Sequence, residues 1–246
     1  MTDRELQGKD RLFAKKAITE DFSFSEQVAD VFDDMLNRSI PFYEQVTQAT
    51  ADLLERRLKD NQVIYDLGCS TGATLLALSR RLEHMKVRYV GMDNAVPMIE
   101  KATRKSAQYQ KEHLLSFEVA DITSAPLPNA GAIICNYTMQ FLRPITRQDF
   151  LQKLYTALPD GGLLFLSEKT ISHAKQLNRE FISIYHQFKK KQGYSELEIA
   201  AKREALENIL IPFSVQENTH LLKETGFSEV ELFFTWFNFS SWVAIK

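Results

Sequence analysis

Between Val63 and Ser167 five short β-forming runs alternate with stretches of helical spacing. The runs are Val63–Leu67, Val87–Asp93, Leu115–Asp121, Ala132–Asn136 and Leu163–Ser167; helical patterns cover Ala73–Leu82, Met98–Gln110 and Arg147–Leu158. Neighbouring parallel strands need a crossover, usually a helix, so the alternation predicts an open α/β sheet, mostly parallel, with helices on its faces. The first strand runs into Asp66-Leu-Gly-Cys-Ser-Thr-Gly72. Its glycines let the backbone approach a ligand closely, and the first N–H groups of the next helix remain free to meet one. Taken alone, this is also what any strand-to-helix turn looks like.

Ligands of such sheets lie outside the carboxyl ends of the strands. Asp66, Asp93, Asp121 and Asn136 all fall there. A single acid at a strand end is readily explained as a helix cap or turn former, but four polar ends on one rim predict a site. The turn lacks the G-x-G-x-x-G spacing that cradles a pyrophosphate, and Asp66 stands beside it. A carboxylate there repels phosphate and attracts a cation, which favours S-adenosyl-L-methionine: an ammonium, a sulfonium and an adenosine without phosphate. Asp93 is placed to accept from both ribose hydroxyls, and Asp121 with Ile122 to meet the adenine.

Composition narrows the class. The 246 residues suit one domain, 1–246, and 44% are apolar, enough for a core. Acidic residues number 32 against 30 basic, a net charge of −2, so no direct contact with nucleic acid is expected. No apolar run approaches the roughly 20 residues of a membrane span, and a cytoplasmic protein is expected. Cys69 and Cys135 lie far apart and outside any C-x-x-C pair, so neither a disulfide framework nor a metal site is expected.

The flanks supply the cover. Residues 1–22 are polar, with Phe13 and Phe22 as candidate anchors; Ser23 with Glu26 resembles a capping box for a helix over about 24–36, and Pro41 opens a second helix carrying Tyr43. Residues 1–60 are expected to form a helical cover over the pocket mouth. After the fifth strand, 172–211 reads as a helical insert: Leu177, Phe181, Ile184, Tyr185 and Phe188 form a stripe suited to core or interface. Ser195 and Glu198 cap a second helix carrying Lys202 and Arg203. Lys189–Lys191 read as a solvated helix end. Ser214 with Glu217 caps a last helix ending near Gly226, before two aromatic-rich strands, Val230–Phe234 and Phe239–Ile245.

The strings D-L-G-C-S-T-G, M-D-N, A-D-I and N-Y, in this order, resemble the class I S-adenosylmethionine-dependent methyltransferases. That resemblance implies a Rossmann-like, seven-stranded sheet with its last strand antiparallel. The sequence departs from the common pattern at Ser70, where glycine is usual, and has no N-P-P-Y motif at Asn136. A closer resemblance spans nearly the whole chain. F-x-F-x-x-x-V-A-x-V-F-D-D-M from Phe22, R-S-I-P-F-Y from Arg38, Y-D-L-G-C-S-x-G from Tyr65 and Y-S-E-L-E-I from Tyr194 are similar to the carboxy-S-adenosyl-L-methionine synthase family.

Members of that family transfer no methyl group. The resemblance implies conversion of S-adenosyl-L-methionine and prephenate to carboxy-S-adenosyl-L-methionine and phenylpyruvate, the product passing to a partner enzyme that carboxymethylates a tRNA wobble uridine. It also implies a homodimer in which Arg203, the catalytic candidate, reaches over from the second subunit to hold the new carboxylate. Tyr43, Gly68, Cys69, Ser70, Asp93, Asn94, Asp121, Ile122 and Asn136 are the implied cofactor contacts. An ordinary methyltransferase acting on a small molecule or tRNA is the alternative. Which groups hold prephenate is left open, with Arg38 and Arg143 lying in candidate loops.

Overall fold

Strand β1 (Val63–Leu67) is buried along its whole length, as a central strand covered on both faces must be. In the computed structural model, which describes residues 9–13 and 22–246, it pairs in parallel with β2 (Arg88–Asp93) and with β4 (Ala130–Asn136). Strand β3 (Leu115–Val119) lies outside β2, and β5 (Leu163–Lys169) outside β4, both parallel. Beyond β5 come β7 (Phe239–Ile245) and, at the edge, β6 (Glu229–Trp236), giving seven strands in the order β3-β2-β1-β4-β5-β7-β6. Only β7 runs against its neighbours. The order reverses between β1 and β4, so a crevice opens at that end of the sheet.

Helices α3 (Ala73–Arg81), α4 (Val96–Gln108) and α5 (Arg147–Ala157) follow β1, β2 and β4. One face of the sheet packs Leu151 and Leu154 of α5 with Leu222 of α8 (Val215–Thr225); the other packs Leu75 and Leu78 of α3 with Leu54 of α2 (Tyr43–Arg57). Each fully buried leucine contributes about 2 kcal/mol of apolar transfer, so these two layers hold the strand ends in place.

Several boundaries differ from the sequence reading. Helix α1 spans Glu26–Ser39, capped by Ser25, whose Oγ accepts from Val28 N at 3.5 Å, not by Ser23. Helix α2 starts only after Phe42, held at φ 57° with its ring 5.8 Å from Phe234; this packing delays the helix that Pro41 was expected to open. Strand β3 stops at Val119, because Asp121 turns its carboxylate onto Thr123 N and Oγ1 (2.9 and 2.7 Å) and closes a side-chain turn. The capping boxes expected at Ser195 and Ser214 are both formed. The expectation for residues 1–22 lies largely outside the described residues; within them, the Phe13 and Phe22 rings stack at 6.5 Å.

Over the crevice lie α1, α6 (Lys175–Lys191) and α7 (Glu196–Leu206), tied together by polar contacts. Tyr185 Oη donates to Ser39 O (2.9 Å), Arg38 Nε to Gln192 O (2.8 Å), and Phe22 N to Ala205 O (3.1 Å). On α6, Phe181, Phe188 and Tyr185 pack against Phe237, Trp236 and Phe239 of the β6–β7 hairpin. No helix among the described residues is long and apolar enough to cross a membrane.

Candidate active site

The turn after β1 is shaped by what surrounds it. Gly68 and Gly72 sit at φ 77° and 72°, and Ser70 at 48°. A Cβ on Gly68 would stand 2.4 Å from Thr138 Oγ1, so only glycine fits. Gly68 N and Cys69 N both donate to Met92 O (2.7 and 3.0 Å), which fixes the turn to the end of β2. Asp93 continues the link: Oδ2 accepts from Ser70 N and Oδ1 from Ala95 N, each at 2.9 Å. Each oxygen keeps a further lone pair, enough to receive a ribose hydroxyl.

Asp66 is buried, 2% exposed, and its Oδ2 has no hydrogen-bond partner among the described residues. Burial, with the neighbouring Asp93 charge, pushes its pKa up to about 7. Such an unpaired acid invites a cation, since pairing offsets the desolvation cost that ionisation carries here. Asp93 is also raised, by burial, against hydrogen bonds from Ala95 and Ser70 that lower it. Asp121 is exposed and lowered by its bonds to Thr123.

These groups line one cavity of about 540 Å³. The implied cofactor contacts Tyr43, Gly68, Cys69, Ser70, Asp93, Asn94, Asp121, Ile122 and Asn136 meet in it, together with Arg203. Tyr43 Oη is 2.6 Å from Thr74 Oγ1, and burial raises the phenol's pKa. Arg203, on α7, is exposed and lines the cavity of its own chain. Arg38 and Arg143 do not line it. Arg38 is spent on Asp34 (3.0 Å), on Gln192 O and on the Tyr194 ring at 3.9 Å.

Sequence reasoning missed a cationic wall. Lys169 on β5, His186 and Lys189 on α6, and Lys202 on α7 all face the cavity. Lys189 is only 6% exposed, which corrects its reading as part of a solvated helix end. Burial, joined by the charges of Lys169, Lys202 and Arg203, pushes its pKa down to about 7. The signal was present: Lys189 lies four residues after Tyr185, on the same helical face as the apolar stripe. Also unforeseen is Asp33 of α1, which accepts from Thr71 Oγ1 (2.5 Å) and pairs with Lys105 (2.8 Å), fastening the cover to the turn. Among the described residues no group of His, Cys, Asp and Glu is arranged to hold a metal.

The arrangement fits an adenosine-bearing cation. It offers a glycine cradle, a carboxylate with spare lone pairs at the second strand end, and an unpaired buried acid beside the turn. Apolar rings of Phe24, Phe32 and Phe141 line the remainder.

The comparisons agree with this geometry. A family profile described as a methyltransferase domain matches residues 64–162. Among solved structures, a putative S-adenosyl-L-methionine-dependent methyltransferase from Methanococcus maripaludis superposes with a TM-score of 0.62 at 16% identity, covering 94% of this chain and 97% of that one. The magnesium protoporphyrin IX methyltransferase of Synechocystis, with bound SAH, gives 0.61 at 12%, covering 86% and 87%. At these identities the likeness speaks for the fold. Sequence relatives go further. A carboxy-S-adenosyl-L-methionine synthase from Desulfotalea psychrophila is 56% identical over 246 residues, covering 100% of this chain and 99% of that protein. One from Helicobacter hepaticus is 44% identical over 242 residues, covering 97% and 100%. With a methyltransferase fold, this cavity and full-length similarity of that degree, the chain is an enzyme that belongs to the carboxy-S-adenosyl-L-methionine synthase family.

Proposed function

We propose that the enzyme converts S-adenosyl-L-methionine and prephenate to carboxy-S-adenosyl-L-methionine and phenylpyruvate. The observation that carries the reading is the coexistence, in one cavity, of an acidic end built for a cation and Arg203 for a carboxylate. The sulfonium acidifies its methyl group, and loss of one proton leaves an ylide carbanion. Prephenate aromatises by breaking its bond to the ring carboxylate, releasing carbon dioxide, and its bond to the ring hydroxyl, releasing hydroxide. The hydroxide takes the methyl proton as water, and the carbanion bonds to the carbon dioxide. Atoms and charge balance without an external base. The chain's own residues orient and neutralise: Asp66 pairs the methionine ammonium, Asp93 the ribose hydroxyls, Asp121 and Ile122 the adenine. Tyr43, Cys69, Ser70, Asn94 and Asn136 complete the S-adenosylmethionine contacts. Arg203 receives the new carboxylate bidentately.

On this reading the product supplies a tRNA carboxymethyltransferase acting on a wobble uridine, and the net charge of −2 is in keeping with an enzyme that itself holds no tRNA. Leu177 and Phe237 remain 48% and 39% exposed on α6 and the β6–β7 hairpin, apolar surface in keeping with a homodimer. Incubation with both substrates is expected to yield an S-adenosylmethionine derivative heavier by one carbon dioxide, plus phenylpyruvate, as read by mass spectrometry. Methylation of an acceptor with neither product formed sinks the reading.

A further inference from the structure

The cavity is electrically divided. Asp66 and Asp93 stand at the β1–β2 end, while Lys169, Lys189, Lys202 and Arg203 come from β5, α6 and α7. Lys202 is matched by Asp10 at 3.7 Å and reaches Ser39 Oγ at 3.2 Å. Lys189 and Lys169 have no carboxylate within salt-bridge distance among the described residues. Both instead address one aromatic ring: the Lys189 Nζ lies 4.6 Å and the Lys169 Nζ 5.5 Å from the centre of Tyr185. The ring is itself fixed by the Tyr185 Oη bond to Ser39 O and by its packing on Phe239 at 4.9 Å. Two ammonium groups held on a braced platform, one of them almost wholly buried, leave a charge deficit that an anion fills.

We propose that Lys189, with Lys169 beside it on Tyr185, binds the prephenate carboxylate that survives into phenylpyruvate; this rests on the synthase reading above. Prephenate carries two carboxylates, and chemistry separates them. The ring carboxylate must shed its charge to leave as carbon dioxide. Two ammonium groups on it would stabilise the ground state more than the transition state and slow the reaction. The keto-acid carboxylate keeps its charge throughout. Pairing it costs nothing at the reacting centre and supplies remote binding energy that positions the ring against the sulfonium methyl.

The charge state of Lys189 follows from its neighbours. Burial, joined by the charges of Lys169 from β5 and of Lys202 and Arg203 from α7, brings its pKa down to about 7, and His186 on its own helix also faces it. Anion binding favours the ammonium form. Binding therefore takes up a proton above that pH, and affinity for the anion is lost as pH rises through about 7.

The test uses full-length protein and Lys189→Met, with Lys189→Arg as the charge-retaining control. For Lys189→Met, the KM for prephenate and the dissociation constant for phenylpyruvate are expected to rise together, by roughly tenfold or more. The dissociation constant for S-adenosylmethionine is expected to stay unchanged, which reports an intact fold. Lys189→Arg restores most of the loss and removes the decline in affinity as pH rises through about 7. Unchanged prephenate and phenylpyruvate binding in Lys189→Met overturns the assignment, as does a raised KM for prephenate with unaltered phenylpyruvate binding. Phenylpyruvate binding by calorimetry needs no turnover. Lys189-dependent binding in an enzyme that forms no carboxylated product keeps the anion subsite and sinks the synthase reading; turnover with Lys189-independent binding does the reverse.

Discussion

Asp93→Ala is expected to raise the dissociation constant for S-adenosylmethionine about a hundredfold. Two hydrogen bonds from ribose hydroxyls to a carboxylate are lost together, roughly 3 kcal/mol if each is worth about 1.5. The loss extends to the turn, because Ser70 N and Ala95 N lose the oxygens they donate to at 2.9 Å. Stability should move less than affinity. Burial raises the folded-state pKa of Asp93 above its unfolded value, so the protein binds this proton more tightly when folded. Ionised Asp93 therefore costs stability as pH rises through that window, and removing it recovers that cost while leaving two backbone N–H groups short of a partner. Calorimetric titration of the variant, with Asp93→Asn as the intermediate case, checks the number. Affinity within threefold of the native enzyme contradicts the ribose role.

Arg203→Ala is expected to lower the yield of carboxylated product about a hundredfold in kcat/KM while S-adenosylmethionine binds as before. A bidentate, charge-assisted pair to the nascent carboxylate is lost, worth roughly 3 kcal/mol. S-adenosylmethionine itself has no carboxylate on its methyl and makes no such demand. The side chain is exposed, so the melting temperature should hardly move. Arg203→Lys keeps the charge and loses the fork, and is expected to recover only part of the rate. Undiminished product formation by Arg203→Ala removes Arg203 from the reaction.

Much of this site was legible because its chemistry is carried by residues adjacent in sequence to strand ends. The short β-forming runs placed Asp66, Asp93 and Asn136 at the rim, and the parallel sheet brings those rims together whatever the details of packing. Asp121 shows the limit: the apolar run overshoots by two residues because a side-chain turn at Thr123 ends the strand. Lys189 shows another. Three successive lysines at a helix end look solvated, and only the tertiary course of α6 across the crevice decides that the first is buried. The Asp33–Thr71 and Asp10–Tyr194 contacts join residues 38 and 184 positions apart, and no local pattern marks them. Likewise Arg38, expected in a loop facing the pocket, lies in α1 and is consumed by structural contacts.

In the proposed reaction the methyl of S-adenosylmethionine accepts carbon and is not given away. The most direct measurement supplies prephenate together with S-adenosylmethionine whose methyl carries three deuterium atoms, and reads the nucleoside products by mass spectrometry. A carboxylated product that keeps two of the three deuterium atoms is expected, the third lost to water as the ylide forms. S-adenosylhomocysteine as the product, with all three deuterium atoms carried off on a methylated acceptor, would contradict the proposed reaction.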